Sequence, residues 1–99
     1  MDSNPSYASD LADIPEIDSA TQISFACPEV WDGRLKDGRY FYFRYRHGVV
    51  RLGLSRVSVE DAAGGPRKSM VHGDSLRGIF EYSSDRELVF RRLLTEWDL

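Results

Sequence analysis

The chain has one cysteine, two histidines and no long apolar run. A single cysteine excludes an intrachain disulfide framework and is typical of a reducing compartment, so we expect a cytoplasmic protein. A membrane-spanning helix needs about 20 apolar residues in a row, and a secretory signal needs a basic start and an apolar centre. Because the sequence has neither pattern, we expect no membrane association.

Charge is distributed unevenly along the 99 residues, whose formal net charge is −3. Residues 1–21 contain five acids and no Lys or Arg, whereas residues 22–99 are slightly basic. Asp, Ser, Ala and Pro dominate the first segment, and such a composition buries too little apolar surface to fold alone. We predict a largely disordered acidic arm over 1–21 and one folded domain over 22–99. As an alternative, Leu11, Ile14 and Ile17 dock the arm on a partner or on the domain itself.

Two tight-turn signals organise the middle of the chain. The run VWDGRLKDGRYFYFRYRHGVVRLGLSR predicts three strands, and Gln22–Cys27 predicts a short strand before them. Asp37-Gly38 suits a three-residue loop that ends in a left-handed glycine, and His47-Gly48 suits a two-residue hairpin turn. Both turns predict an antiparallel meander.

The turns also predict which side chains share a face, because side chains alternate along a strand. The pairs Tyr45–Val50, Phe43–Leu52 and Phe41–Leu54 form an apolar face, which Trp31 joins opposite Phe43. The opposite face then carries Tyr40 opposite Ser55, Tyr42 opposite Gly53, Arg44 opposite Arg51, and Arg46.

The last third of the chain is less regular until its end. We predict that Val57 and Val59 extend the third strand, that residues 62–66 break regular structure, and that residues 69–72 and 77–82 form short strands. Ser84 and Glu87 have the spacing of a helix capping box, and an apolar stripe from Val89 to Trp97 follows. The predicted fold is α+β, with a small antiparallel meander of about four or five strands covered on one face by a C-terminal helix.

The polar face suggests binding. Tyr and Arg are enriched at interface hot spots, so Tyr40, Tyr42, Arg44, Arg46 and Arg51 are the candidate partner-binding residues. We expect a small non-enzymatic interaction module whose partner is a protein. The alternative is a nucleic acid, whose phosphates and bases the same residues can contact. A small core also favours dimerisation through the remaining face or a sheet edge.

No motif favours catalysis, a metal or a cofactor. Cys27, His47 and His72 are far apart in sequence and lack the spacing of metal ligands. The stretch VHGDS places His72, Asp74 and Ser75 together, but no nucleophile-elbow pattern surrounds the serine. We therefore expect that the protein is not an enzyme and that it has no catalytic residue and no cofactor.

The segment WDGRLKDGRYFYFRYRHG, residues 31–48, resembles part of small uncharacterised proteins of actinobacterial phages and their hosts. The resemblance implies an accessory binding protein that acts on host machinery. It transfers no functional residue to this chain. We expect the interaction module to be of an accessory, regulatory or inhibitor type.

Overall fold

The computed structural model describes residues 11–25 and 28–99, which form one antiparallel sheet with helices on both of its faces. The strands follow one another in chain order across the sheet. Their bounds are β1 Ile17–Phe25, β2 Glu29–Leu35, β3 Tyr40–Arg46, β4 Val49–Ser55 and β5 Arg67–Val71. The helices are α1 Val59–Gly64, between β4 and β5, and α2 Ser83–Trp97 at the end. The predicted α+β meander is confirmed.

The alternation along β3 separates the two faces of the sheet. Phe41, Phe43 and Tyr45 are at most 1 % exposed, whereas Tyr42 and Arg44 on the other face are only partly buried. The registers predicted from the two turns are confirmed along β2–β3 and β3–β4. The backbone of both turns is also as predicted, since φ is positive for three residues: 97° at Gly38, 54° at His47 and 74° at Gly48. Histidine tolerates this conformation at some cost, and glycine adopts it freely.

Helix α2 covers the apolar face, as predicted. The Phe90 ring makes edge-on contacts with Phe41 and Phe43, with ring centroids 5.2 Å and 5.1 Å apart. The Trp97 Nε1 donates a hydrogen bond of 2.7 Å to the Leu52 carbonyl. These contacts cover the centre of the sheet with α2.

The predicted capping box is wrong. Helix α2 begins at Ser83, two residues earlier than a Ser84 N-cap predicts, and Tyr82 occupies the N-cap without a capping side-chain hydrogen bond. Ser84 therefore lies inside the first turn. The only acid in that turn is Asp85, which is placed favourably toward the helix dipole. Helix α2 thus begins without a side-chain cap, and its first turn is followed by Arg86, which forms an ion pair with the buried Glu29.

The boundary predicted at residue 21 does not fit the structure. A 3-10 turn spans Leu11–Asp13, and β1 starts at Ile17 rather than Gln22. Leu11, Ile14 and Ile17 are at most 2 % exposed within the core cluster. Residues 11–21 are therefore part of the folded domain, and the alternative of docking on the chain's own body is correct for them. Residues 1–10 and Cys27, the predicted end of the first strand, lie outside the described residues.

The segment after β4 is also different from the prediction. Strand β4 ends at Ser55, and residues 59–64 form α1 instead of a strand extension followed by a break. The Ser58 hydroxyl caps the helix by accepting a 3.0 Å hydrogen bond from the Asp61 amide. Helix α1 packs on β3 and β4 on the face opposite α2. We call this face of the sheet, which carries Tyr40, Tyr42, Arg44, Arg46 and Arg51, the outer face.

The two strands predicted near the end of the chain have different outcomes. The strand predicted over 69–72 is present as β5, somewhat earlier in the chain. Residues 77–82 form no strand; they run as an irregular segment along the end of β2, where the Gly78 carbonyl accepts a 2.8 Å hydrogen bond from the Glu29 amide. Phe80 points into the core, and its ring stacks on Phe43 with a centroid distance of 6.0 Å. No helix in the described part of the chain is long and apolar enough to span a membrane.

Candidate functional site: the arginine cluster of the outer face

Three arginines gather where the β3–β4 hairpin turns. Arg44 is paired with Arg51 across the hairpin, and Arg46 with Val49 beside the turn. Directly opposed side chains in an antiparallel pair have Cβ atoms about 5 Å apart, so Arg44 and Arg51 leave the sheet side by side. We call Arg44, Arg46 and Arg51 the arginine cluster.

The arginine cluster differs from most other arginines of the protein in forming no ion pair within the described residues. Five arginines elsewhere form ion pairs within 4 Å; these are Arg34 with Asp18, Arg39 with Asp37 and Asp98, Arg77 with Glu81, Arg86 with Glu29, and Arg91 with Glu16 and Glu87. Within residues 11–25 and 28–99, Arg44, Arg46 and Arg51 make no such pair. A directly opposed like-charge pair destabilises a sheet. The arrangement therefore favours an anionic ligand over the hairpin.

The neighbours of the arginine cluster across the sheet are small or apolar. Val30 of β2 is paired with Arg44, and Ser69 of β5 is paired with Arg51. Val30 is only 5 % exposed although it lies on the outer face. The aliphatic stem of an arginine commonly covers such a side chain while its charged end stays in water. The arginine cluster thus offers both apolar and charged surface.

The two predicted tyrosines lie away from the arginine cluster. Tyr42 is between Asp32 and Gly53 in the register, and Tyr40 is between Arg34 and Ser55. Helix α1 crosses the sheet at this level. A Cβ added to Gly53 would lie 2.0 Å from the Ala62 carbonyl oxygen, which shows how closely the helix backbone approaches the strand. The five predicted residues therefore share one face, with the two tyrosines at the level of α1 and the three arginines toward the hairpin turn; only Arg46 is exposed, and the other four are partly buried.

The end of the outer face beside α1 carries carboxylates. Asp32 is half-buried there, and burial raises the pKa of its carboxyl group, with a smaller contribution from the Glu60 carboxylate. Asp61 accepts a 2.7 Å hydrogen bond from the Ser55 hydroxyl and so holds α1 to β4. The outer face thus carries carboxylates together with Arg67 beside α1, and near the hairpin turn it carries three arginines that form no ion pair within the described residues.

A buried ionic group on the other side of the sheet was missed by sequence reasoning. Glu29 is 1 % exposed, and its carboxylate accepts hydrogen bonds from Trp31 Nε1 at 2.8 Å, from the Phe80 amide at 2.9 Å and from Arg86 Nε. The Arg86 guanidinium also lies 5.3 Å from the centre of the Trp31 ring. Both oxygens of the Glu29 carboxylate therefore accept hydrogen bonds. The arrangement joins β2, the irregular segment and α2, and we assign it to stability.

The residues of VHGDS do not come together. His72 lines a shallow depression of about 210 Å³ with Tyr45 and Arg77, and Ser75 lines a second depression of about 220 Å³ beside His47. The Asp74 carboxylate accepts a 3.0 Å hydrogen bond from the Leu76 amide within its own loop.

Tyr45 lies at the base of the first depression. Its hydroxyl donates to the His72 carbonyl, and burial raises the pKa of its phenol group. Among the described side chains, no three His, Cys, Asp or Glu residues converge on a metal-sized site. Cys27 lies outside the described residues.

Comparison with known proteins assigns no family. No protein-family model, curated protein or solved structure matches the chain. The resemblance to proteins of actinobacterial phages and their hosts stays a prediction.

Proposed function

We propose that the protein is a small non-enzymatic interaction module that binds an acidic surface of a protein partner through its outer face. The observation that carries this proposal is the arginine cluster, three neighbouring guanidinium groups that have no counter-ion in the described structure. The cysteine usage supports action in the cytoplasm.

The chemistry of arginine supports a carboxylate partner. Its planar guanidinium group donates parallel hydrogen bonds to a carboxylate, and these charge-assisted bonds are about twice as strong as neutral ones. Binding would also place negative charge next to the opposed Arg44–Arg51 pair and so relieve its repulsion. Tyr42 at the level of α1 adds aromatic surface of the type that interfaces use.

The experiment is a charge reversal with a matched control. The double variant R44E/R51E reverses two charges of the arginine cluster, and K36E/R92E reverses two exposed charges outside the outer face. A tagged protein first captures its partner from lysate, the partner is identified, and both purified proteins are then titrated by calorimetry. We expect R44E/R51E to weaken binding at least about tenfold while K36E/R92E binds like the unmodified protein, since lost charge-assisted bonds are each worth about 1.5–3 kcal/mol.

The result that contradicts the proposal is equally specific. Equal affinities of R44E/R51E and the unmodified protein, with unchanged circular dichroism, would exclude the arginine cluster from the interface. Equal losses in both double variants would indicate a general charge effect instead of a defined surface.

A second candidate is nucleic-acid binding by the same arginines. The observation in its favour is that Tyr42 shares one face with arginines that form no ion pair in the described part of the chain, as in proteins that contact phosphates and stack on bases. The net charge of −3 and the carboxylates near α1 favour the protein partner. Affinity for an oligonucleotide that falls steeply with added salt would favour the second candidate, and no retention at low salt would exclude it.

A further inference from the structure

Strand β5 is an open edge of the sheet. The His72 amide donates a 2.8 Å hydrogen bond to the Gly48 carbonyl. Because alternate residues of an antiparallel strand hydrogen-bond to the same neighbour, the backbone groups of Met70 and Lys68 also point toward β4. The amides and carbonyls of Arg67, Ser69 and Val71 therefore point away from the sheet. In the described part of the chain nothing hydrogen-bonds to them.

The other edge of the sheet is less regular. Strand β1 shifts register twice against β2, between Ile17 and Ser19 and again between Gln22 and Ser24. Such bulges interrupt the row of backbone groups and commonly prevent further pairing. The pairing of β5 with β4 runs without a shift from Arg67 to Val71. Of the two edges, β5 is the one with an uninterrupted row of free donors and acceptors.

The side chains around the β5 edge are basic. Arg67 and Lys68 are exposed and have no ion-pair partner among the described residues. Ser69, the central residue, is small and is paired with Arg51 of the arginine cluster. Val71 is 72 % exposed. An added strand would therefore lie beside cations on both faces of the sheet, with Arg67 on the outer face and Lys68 on the face that α2 covers.

We propose that an extended acidic segment of the partner pairs with β5 as a sixth strand, so that its outward carboxylates meet Arg67 and Arg51. This inference rests on the proposed function and deepens it by naming the form and charge of the ligand. Strand addition provides affinity through backbone hydrogen bonds and specificity through alternate side chains. A second copy of this chain is a poorer occupant, because it would bring two sets of Arg67 and Lys68 to one seam.

The test uses a defined peptide and one proline. The probe is a short synthetic peptide of alternating glutamate and threonine, titrated by NMR against the ¹⁵N-labelled full chain. S69P removes an amide that points to the free edge and leaves the bonds to β4 in place, a position where edge strands tolerate proline. S69A is the matched control, because it removes the hydroxyl but keeps the amide. We expect S69P to weaken binding about tenfold or more, and S69A to bind like the unmodified protein.

A second measurement does not depend on the folding of S69P. N-methylation of those alternate peptide residues whose amides face β5 should weaken binding as S69P does, whereas N-methylation of the other residues should not. A peptide of alternating lysine and threonine should not bind. Equal affinity of S69P and S69A, indifference to N-methylation, or no binding of the glutamate peptide would each overturn the inference.

Failure of this inference is distinguishable from failure of the proposed function. If R44E/R51E weakens binding of the natural partner and S69P does not, the outer face binds the partner without strand addition, and the edge proposal is overturned alone. If neither variant weakens binding, both proposals are overturned.

Discussion

Replacing Glu29 by glutamine exchanges one heavy atom of a buried side chain and should lower the free energy of unfolding substantially. The side chain keeps its shape and one acceptor oxygen, which can still accept from the Phe80 amide. Its new NH₂ group, however, faces Trp31 Nε1 and Arg86 Nε, which are both donors. The substitution also removes the negative charge that pairs with the Arg86 guanidinium. The Arg86 side chain is 11 % exposed, so it has little contact with water.

The magnitude follows from the burial of the pair. Removing one member of a buried ion pair costs about 3–5 kcal/mol. Because the Arg86 side chain is not fully buried and can move toward water, we expect the lower end, about 3 kcal/mol, for E29Q. A domain of this kind has a total stability of about 5–15 kcal/mol, so the loss is a large fraction of it.

The assay is urea unfolding followed by tryptophan fluorescence in a double-mutant cycle of E29Q and R86M. We expect the double variant to be more stable than the sum of the single losses by about 2 kcal/mol. The control is E87Q, which breaks the half-exposed pair with Arg91 and should cost about 0.5 kcal/mol or less. A loss below about 1 kcal/mol for E29Q, or strictly additive losses, would show that the pair behaves like a surface pair and would refute the reasoning.

Three further predictions concern packing and charge. G53A places a Cβ 2.0 Å from the Ala62 carbonyl oxygen and should lower the free energy of unfolding by about 2 kcal/mol or more in urea unfolding. The control is G64A, whose Cβ meets nothing within 4 Å and which should be neutral or stabilising. Equal stability of the two variants would contradict the packing of α1 on the sheet. W97F removes a hydrogen bond to a β4 carbonyl and should cost about 1 kcal/mol or more in the same assay; a neutral result would mean that this bond does not hold the end of α2. Because the folded pKa of Asp32 is raised above its ordinary 3.8, the folded protein binds its proton more tightly than the unfolded chain does, and stability falls as pH rises from 3.8 through the folded pKa. D32N should therefore be more stable than the unmodified protein at pH 7 but not below pH 3.8, and a destabilised D32N at pH 7 would contradict this sign.

The meander could be predicted because its signals are local. Asp37-Gly38 and His47-Gly48 each specify a turn from two neighbouring residues, and a turn of known length determines the register of the strands that it joins. The register then assigned each ring of β3 to a face without knowledge of any distant contact. The apolar stripe of α2 could be predicted for the same reason, since residues three and four apart in sequence lie on one helix face.

The missed elements depend on contacts between distant parts of the chain. Helix α1 is short, and its Ala62 is buried against Gly53, a contact that no spacing reveals. Ile17 belongs to a strand because Leu35 lies beside it, although the surrounding acids and prolines are typical of a disordered segment.

The candidate site was predictable in part for the same reason. The parity of β3 and the turn register place Arg44, Arg46 and Arg51 on one face, but the close approach of α1 to Gly53 on that face requires the tertiary structure. Glu29 lies 57 residues from Arg86 in the chain, so its burial had no local signal apart from the two-residue spacing to Trp31.

The central claim is that the partner docks over the arginine cluster on the outer face. The most direct measurement is photo-crosslinking with p-benzoylphenylalanine, placed either at Val49, which is paired with Arg46 on the outer face, or at Leu88, which is 64 % exposed on α2. We predict a covalent adduct with the identified partner from position 49 and none from position 88. An adduct from position 88 with none from position 49 would contradict the claim.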